Sequence, residues 1–345
     1  MAKKNYESWN IKIEDFPAAG TQHEQIEFLT RFALLAPSGH NSQPWRIHAS
    51  DSQVALYINT GRNLNQSDPQ GRQLYISLGC FLENLFTAAD FFGFAFLPTY
   101  NYPDPSDGAT PVAEITFQKR TPAEHKDRRM VRAIIERNSN RYPYRDEPLP
   151  QSFIDYAGTI IEPQIKIFLL TDTAQKDQAA NIMEDAQIYA MDSADFRKEL
   201  SEYIKSSYTE EPYGMPGFTL NIPGPVSILA PKLAKNINLS RLSKKQDSEL
   251  LLRRTPALGV ICASQDSREN WLSVGRVFER VWLRATSDGI AFSVWAAAIQ
   301  HETFRARLQK ILNTPLLPMA AFRAGLPKTK PGHSPRFSLK DLAVR

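Results

Sequence analysis

The amino-acid sequence predicts an α+β fold in which the chain consists of two similar halves. Strand-like apolar segments alternate with long amphipathic helical patterns, but without the regular spacing of βαβ units. A stretch of the first half, residues 76–96, aligns without gaps to residues 272–292. The 345 residues are 42% hydrophobic and 23% charged, a balance typical of a globular chain with a sizeable core.

The first half contains alternating helical and strand-like patterns up to a charged segment. The helix at 23–36 is predicted from apolar residues at helical spacing, and it ends where Ala36-Pro37-Ser38-Gly39 begins. That loop leads through Pro44-Trp45 into strand-like sequence, where Trp45 is expected to anchor the loop in the core. The remaining elements are a strand at 54–58, a helix at 72–92 that follows Asp68-Pro69 and stops at Gly93, a strand at 112–117 and a charged helix at 124–137.

The second half also contains alternating helical and strand-like patterns, but it includes an irregular stretch. Residues 211–231 are so rich in proline and glycine that neither a helix nor a central strand is expected there. Their apolar side chains favour a packed functional loop such as a lid, although a surface excursion without function stays possible. The other elements are a strand at 165–170, an amphipathic helix near 174–205, a strand at 257–263, helices at 270–288 and 301–313, and a last strand at 318–327.

The internal repeat is the most informative pattern in the chain. Seven of the aligned positions in 76–96 and 272–292 are identical, and these include Gly79/Gly275, Glu83/Glu279 and Gly93/Gly289. Amphipathic periodicity alone accounts for apolar matches, but it does not require glycines inside a helix, where glycine costs about 1 kcal/mol relative to alanine. We therefore expect Gly79 and Gly275 to permit close helix–helix approach, and the chain to be a fused pseudo-dimer.

Charge and cysteine usage exclude several classes of protein. With 41 basic and 37 acidic residues the net charge is +4, and no basic stripe interleaved with aromatics indicates nucleic-acid binding. Cys80 and Cys262 lie in apolar settings and are interpreted as buried thiols, with no metal-ligand spacing. The sequence contains neither a secretory h-region nor an apolar run of spanning length, so a cytoplasmic location is expected. It also lacks the GxSxG, HExxH, P-loop, CxxC and post-strand GxGxxG motifs.

Two segments carry polar residues in patterns suited to a ligand. Arg137, Ser139 and Arg141 alternate, so in an extended conformation their side chains could converge on a phosphate; a polar helix end is the structural alternative. The loop at 36–45 offers Ser38, Asn41 and Gln43 to the polar edge of a heterocycle or a polyol. His40 has neither a nucleophile partner nor metal spacing and is interpreted as a surface residue.

These segments resemble two motifs of the FMN-dependent nitroreductase family. The residues from Ala36 to Trp45 are similar to its APSxxNxQPW loop, and Arg137-x-Ser139-x-Arg141 is similar to its Arg-x-Ser-x-Arg/Lys motif. Because both occur in one chain in complementary halves, the order resembles the tandem branch, in which one polypeptide mimics the family homodimer. The resemblance implies a three-layer α-β-α fold with nitroreductase-like halves at 1–125 and 126–345, the second with a lid insertion at about 206–231.

The resemblance also implies a cofactor site and an activity. It suggests one FMN per chain, a monomer that mimics the dimer, NAD(P)H as reductant and a nitroaromatic, quinone or related acceptor, without a catalytic side chain or metal. Where related enzymes have a Pro-x-Glu-Gly type segment, this chain has Val294-Trp295-Ala296-Ala297, which favours as the alternative an FMN-sequestering protein. A third alternative is an interaction module without flavin, against which the presence of both phosphate arginines counts. The implied FMN contacts are Arg137, Ser139, Arg141 and Arg336 at the phosphate and ribityl, Pro37, Ser38, Gly39, Asn41 and Gln43 in the first loop, and Trp295, Ala296 and Ala297 near flavin N5.

Overall fold

A computed structural model describes residues 4–120, 127–160, 162, 164–238 and 254–344. The helices are α1 Gln22–Ala33, α2 Arg72–Phe92, α3 Arg128–Glu136, α4 Gln151–Thr159, α5 Thr173–Asp192, α6 Ala194–Tyr203, α7 Gly224–Ser227, α8 Ala230–Asn236, α9 Arg268–Ser287, α10 Ala297–Gln300, α11 Glu302–Leu312 and α12 Leu339–Leu342. The strands are β1 Trp45–Ala49, β2 Gln53–Ile58, β3 Phe94–Tyr100, β4 Pro111–Lys119, β5 Ile165–Leu170, β6 Ile204–Lys205, β7 Met215–Pro216, β8 Ala257–Ala263, β9 Ala291–Val294 and β10 Leu317–Gly325.

The predicted α+β class is confirmed, and most predicted elements have a counterpart within a few residues. The helix expected near 174–205 is instead two helices, α5 and α6, separated at Ser193. Ser193 has an extended backbone, with ψ of 124°, and its hydroxyl accepts a hydrogen bond from the Phe196 amide. A serine N-cap therefore starts a new helix inside what looks like one amphipathic pattern. The charged helix expected at 124–137 is α3, and the first residues of that prediction lie outside the described part.

Segment 206–231 also differs from its prediction. It contains the short helix α7 and the first residues of α8, although no helix was expected. Pro225 and Pro231 lie in the first turns of these helices, where a missing amide hydrogen costs nothing. Strand β3 was not predicted; it contains Pro98 and lies at an edge of its sheet, where proline is tolerated.

The two four-stranded sheets have the same topology. The first has the order β1-β2-β4-β3 and the second the order β5-β8-β10-β9, and all pairs within both are antiparallel. In each half the long helix connects the second strand of the half to the strand at the far edge, α2 in the first sheet and α9 in the second. The chain ends cross between the halves, because Val344 donates to Ile47 of β1 and the Asn5 side chain donates to Thr209.

Helices α2 and α9 pack against each other through their matched glycines. A Cβ on Gly79 would lie 2.8 Å from the Gly275 Cα, and a Cβ on Gly275 would lie 2.1 Å from the Ile76 carbonyl oxygen. The predicted close approach of the two helices at these glycines is confirmed. Only hydrogen fits at these positions, which fixes the two central helices at backbone contact.

The core forms layers around the second sheet. In β8, Ala257 and Ile261 join the large core that contains α2, α9 and the first sheet, whereas Leu258 and Val260 join a second core with α5 and α11. Helices therefore cover both faces of this sheet, and β8 is buried along its whole length. Within the described residues, no helix combines the length and the apolar character needed to span a bilayer.

Candidate functional site

A cleft lies where the loop after α1, the segment after α3 and the C-terminal tail meet. It encloses about 440 Å³ of space, its open mouth included. Both halves contribute to it, together with the N-terminal segment and segment 206–231. Its lining residues are Trp9, Pro37, Ser38, Asn41, Arg137, Asn138, Ser139, Arg141, Met215, Gly332, His333, Ser334 and Arg336.

The loop at 36–45 has an unusual backbone. His40, Asn41 and Gln43 have φ values of 49°, 57° and 54°, in the left-handed region that residues other than glycine rarely occupy. Internal hydrogen bonds maintain it, since the Ser38 hydroxyl accepts from the Gln43 amide at 2.9 Å. Such strain persists only where the surroundings enforce it, and it concentrates at ligand sites.

The two amide side chains of this loop form hydrogen bonds with other parts of the protein. Asn41 donates to the carbonyls of Gly214 and Pro335 and accepts from Arg336. Gln43 is fully buried, donates to the Pro212 carbonyl at 2.8 Å and accepts from the amide of Phe337 at 3.0 Å. Gln43, predicted as a ligand, therefore joins the loop to segment 206–231 and to the tail.

Arg137, Ser139 and Arg141 lie on an extended segment that runs beside β9. The chain leaves α3 after Glu136, and the Asn140 amide donates to the Phe292 carbonyl at 2.8 Å. From beneath, the buried Arg323 donates to the carbonyls of Asn140 and Tyr142 at 2.9 and 2.7 Å. Because the backbone is extended and held on this side, all three alternating side chains line the cleft.

Arg137 is buried and has a carboxylate partner. Its Nε lies 3.1 Å from Oε1 of Glu279, an ion pair whose geometry is not aligned as a hydrogen bond. Its Nη2 donates to the Leu35 carbonyl at 2.6 Å, and its guanidinium lies 4.6 Å from the centre of the Trp282 ring. Burial raises the pKa of Glu279 to about 7, against the lowering effect of Arg137.

We expect Glu279→Gln to gain stability relative to the native protein as the pH rises. Because the pKa of Glu279 is raised from 4.5 to about 7, ionisation costs more in the folded chain than in the unfolded chain. The favourable contribution of Glu279 is therefore complete below about pH 4.5 and is lost as the pH rises through about 7. The measurement is the difference in Tm between E279Q and the native protein at pH 5 and pH 8.

The exposed Glu202 supplies the control, since Glu202→Gln removes one carboxylate outside the cleft. We expect the Tm difference for E279Q to become more positive at pH 8, whereas that for E202Q stays nearly constant. A difference for E279Q that is constant or smaller at pH 8 contradicts the interpretation.

Arg141 and Arg336 place two further positive charges in the cleft. Arg141 donates to the Thr219 carbonyl at 3.3 Å and approaches the Met215 sulfur at 3.6 Å, and among the described residues it forms no ion pair with a carboxylate. Arg336 donates to the side chain of Asn41 and to the carbonyls of Leu35 and Ala36. Burial lowers the pKa of Arg141 to about 10 and that of Arg336 to about 9, with Arg323 and Arg137 respectively adding repulsion. Three guanidinium groups thus line one cleft, those of Arg137 and Arg336 buried and that of Arg141 half-buried, and Glu279 is paired with Arg137.

The structure brings together seven of the twelve predicted site residues in this cleft, and five lie outside its lining. Gly39 and Gln43 lie in the same loop but face neighbouring protein atoms. Trp295 donates its amide to the Ala321 carbonyl and packs against the second core, beside α5 and α11. Trp295, Ala296 and Ala297 therefore lie outside the lining of this cleft, and their position near flavin N5 stays a prediction. The seven residues in the lining are Pro37, Ser38, Asn41, Arg137, Ser139, Arg141 and Arg336.

No pattern in the sequence predicted the other wall of the cleft. Trp9 and His333 stack with ring centroids 3.9 Å apart and an angle of 17° between their planes. They are more than three hundred residues apart in the chain, and neither belongs to a recognisable motif. Only the folding of both chain ends onto one surface brings them together. The lining residues missed by sequence reasoning are Trp9, Asn138, Met215, Gly332, His333 and Ser334.

Comparison with known proteins gives relatives along nearly the whole chain. The acg protein of Mycobacterium tuberculosis, whose name assigns it to the NAD(P)H nitroreductases, is 26% identical over 313 residues, 87% of this chain and 88% of that protein. PigM of a Serratia strain, also named as an NAD(P)H nitroreductase, is 23% identical over 331 residues, 88% of this chain and 89% of that protein. No protein-family model matches the chain.

Solved structures of nitroreductases are also similar, at a lower level. An FMN- and NADPH-dependent nitroreductase from a sphigopyxis strain is 14% identical, with a TM-score of 0.38, and the match covers 62% of this chain and 96% of that one. An iodotyrosine deiodinase with bound FMN is 13% identical, with a TM-score of 0.36, and the match covers 61% of this chain and 95% of that one.

Over most of its length, and across both halves, the chain is therefore similar to proteins named as NAD(P)H nitroreductases.

Proposed function

We propose that the protein binds FMN in this cleft and transfers hydride from NAD(P)H to a nitroaromatic, quinone or related small acceptor. The observation that supports it best is the convergence of Arg137, Arg141 and Arg336 on one buried cleft in which Glu279 supplies the paired carboxylate. Buried guanidinium groups in excess favour a bound anion, and a phosphate accepts their paired donors. Full-length relatives named as NAD(P)H nitroreductases support the reductant and the class of acceptor.

The residues present fit the phosphate end of FMN. The Nε of Arg336 is buried and has no hydrogen-bond acceptor among the described residues, whereas that of Arg137 lies beside the Glu279 carboxylate. Such donors cost free energy unless an acceptor reaches them, and phosphate oxygens can do so. Arg141 and Ser139 would hold the phosphate and ribityl from the second half, and Ser38 would contact the cofactor from the first half.

When bound, FMN supplies the hydride chemistry, and the chain binds, orients and shields it. Asn41 contributes by positioning Arg336, because its side-chain oxygen accepts from that guanidinium. Trp9 closes one side of the cleft and lies 5.0 Å from the Arg336 guanidinium. The role of the chain's own residues at this site would therefore be to bind and orient the cofactor and to limit its contact with water.

We also propose that the two halves, 1–125 and 126–345, derive from one duplicated unit and hold one FMN per chain as a monomer. The shared strand order and the matched glycines of α2 and α9 support duplication. The loop at 36–45 and the extended segment at 137–141 come from different halves, as they do in a site between two subunits. We expect the protein to act in the cytoplasm on small molecules.

A second candidate function is FMN sequestration beneath a lid formed by residues 206–231. The Asn41 side chain donates to Gly214, Gln43 donates to Pro212, and Arg141 donates to Thr219, so this segment lies across the loop and the arginine. The Arg62 guanidinium also lies 4.7 Å from the Tyr213 ring centre and 4.2 Å from that of Phe337. A lid held this firmly favours retention of FMN over exchange of nicotinamide.

One experiment on the purified full-length protein separates these functions. We expect a flavin absorption spectrum with one FMN per chain, and anaerobic stopped-flow mixing with NADPH or NADH then tests reduction. Fast bleaching supports the oxidoreductase, whereas bleaching by dithionite alone supports sequestration. A colourless protein that does not bind added FMN contradicts both.

Glu199→Ala is expected to open the lid. Glu199, on α6, accepts hydrogen bonds from the amides of Gln66 and Ser67 at 2.8 and 2.9 Å and from the Ser67 hydroxyl at 2.5 Å. Loss of these charged contacts, which are partly exposed, should cost about 1–2 kcal/mol and speed FMN release about 5- to 30-fold. Release is followed by the fluorescence of free flavin, and proteolysis within 206–231 by mass spectrometry.

Glu202→Ala is the matched control, because Glu202 is an exposed residue three positions along the same helix. We expect E202A to release FMN at the native rate. Equal release and equal proteolysis in all three proteins would show that α6 does not hold the lid.

A further inference from the structure

We propose that His333 is an additional ligand of the anion in this cleft and that it takes up a proton when the anion binds. This inference rests on the proposed phosphate site but concerns a residue outside the motifs that predicted it. The anion is the phosphate group of FMN if the proposed function holds.

The imidazole of His333 is held rigidly at the cleft. It lines the cleft and stacks on Trp9 at 3.9 Å, and the Trp9 indole donates to the carbonyl of Ser334 at 2.8 Å. Arg336, three residues along the tail, lies on the same Trp9 ring at 5.0 Å. Because the imidazole is already held by its stack on Trp9, it loses little additional conformational entropy when a ligand binds.

The protein uses only part of the hydrogen-bonding capacity of this ring, through the backbone of Arg137. Its Nδ1 is buried and has no hydrogen-bond partner within the described residues. A buried ring nitrogen without a partner costs free energy. The Nε of Arg336 is also buried without an acceptor, so two residues that line the same cleft each have a ring or guanidinium nitrogen without a hydrogen-bond partner among the described residues.

The charges that face His333 explain why a bound anion should protonate it. Burial, followed by the positive charges of Arg336, Arg137 and Lys330, lowers the pKa of His333 to about 4. Glu279, the acidic group nearest in this network, is paired with Arg137. A dianion placed among these cations reverses the local field, and it therefore raises the pKa of the imidazole.

The sign of the pH dependence follows from this change. The free protein holds a neutral His333 above about pH 4, and the bound protein holds a proton up to its higher pKa. Anion affinity should therefore increase as the pH falls through the bound-state pKa, by up to tenfold per pH unit for one proton, and level off near pH 4.

Sulfate is a suitable probe because it keeps both charges across this range, whereas a phosphate monoester titrates. Its affinity for the flavin-free full chain is measured at constant ionic strength from pH 5 to 8, for the native protein and His333→Gln. The NMR signal of His333 is titrated with and without sulfate. We expect affinity to rise toward low pH in the native protein, a less steep rise in H333Q, where Glu279 still titrates near pH 7, and an upward pKa shift of His333 on binding.

Three further variants separate His333 from other groups. His48→Gln removes an exposed histidine on β1 and should keep the native profile. His333→Lys carries a fixed charge and should bind sulfate tightly with little pH dependence. The pKa of His40 is also lowered to about 4, by burial and by the charge of Arg141. The variant His40→Gln therefore measures how much of the pH dependence of sulfate affinity comes from His40.

The outcomes distinguish this inference from the proposed function. Sulfate binding with equal pH dependence in the native protein and H333Q overturns the role of His333 and leaves the anion site intact. A pH dependence that disappears in H40Q but not in H333Q also overturns it. If neither the native protein nor any variant binds sulfate or FMN, the proposed anion site itself is contradicted.

Discussion

Replacing Arg141 with alanine is expected to weaken FMN binding by about ten- to a hundredfold. A hydrogen bond to a charged group contributes about 1.5–3 kcal/mol, and each 1.4 kcal/mol corresponds to a factor of ten. Arg141 meets a carbonyl and a thioether, and no carboxylate pairs with it among the described residues, so its charge is available to a phosphate. The measurement is FMN affinity by fluorescence quenching at fixed ionic strength.

The same substitution should not destabilise the flavin-free protein. A buried cation without a counterion costs free energy, so its removal is expected to leave Tm unchanged or raised. Arg145→Ala is the control, since Arg145 is 56% exposed and pairs with Glu147 outside the cleft. Native FMN affinity in R141A, or an equal loss in R141A and R145A, contradicts the phosphate assignment.

Gly275→Ala is expected to destabilise the fold by about 3 kcal/mol or more. The added methyl group would lie 2.1 Å from the Ile76 carbonyl oxygen and 2.9 Å from the Gly79 Cα. Both are backbone atoms of α2, which cannot rotate away as a side chain does, so the helices must separate and lose packing along their length. Urea denaturation of the flavin-free protein measures the change in the free energy of unfolding.

Gly158→Ala supplies the matched control for this change. Gly158 lies in α4, and a Cβ there would have no atom within 4 Å. Alanine should therefore stabilise the helix by up to about 1 kcal/mol. If the free energy of unfolding of G275A lies within about 1 kcal/mol of the native value, the glycine contact does not set the distance between α2 and α9.

The local sequence pattern predicted those helices and strands whose ends and burial depend on residues close together in the sequence. Helix α2 ends at Gly93, which has φ of 85°, and the apolar run of β8 is buried throughout. The pattern failed where a single residue redirects a continuous signal, as at Ser193 between α5 and α6. It also failed for β3, whose Pro98 argued against a strand although an edge position accommodates it.

The candidate site divides in the same way. The alternation of Arg137, Ser139 and Arg141 predicted convergence on one side, and an extended backbone produces it. The role of Gln43 could not be predicted, because its partners at Pro212 and Phe337 lie 169 and 294 residues away. An amide side chain can form hydrogen bonds with a ligand or with backbone groups equally well, and the fold determines which of these partners lies within reach.

The sequence alone determined the class of fold, the two glycine-bearing helices and the two halves of the proposed phosphate site. These follow from spacing, which sets the side of the backbone on which a side chain lies. Only the tertiary structure decided that Glu279 pairs with Arg137, that segment 206–231 covers Arg141, and that Trp9 meets His333. Such contacts join residues distant in sequence, and burial and charge there depend on the folded neighbours rather than on the local chain.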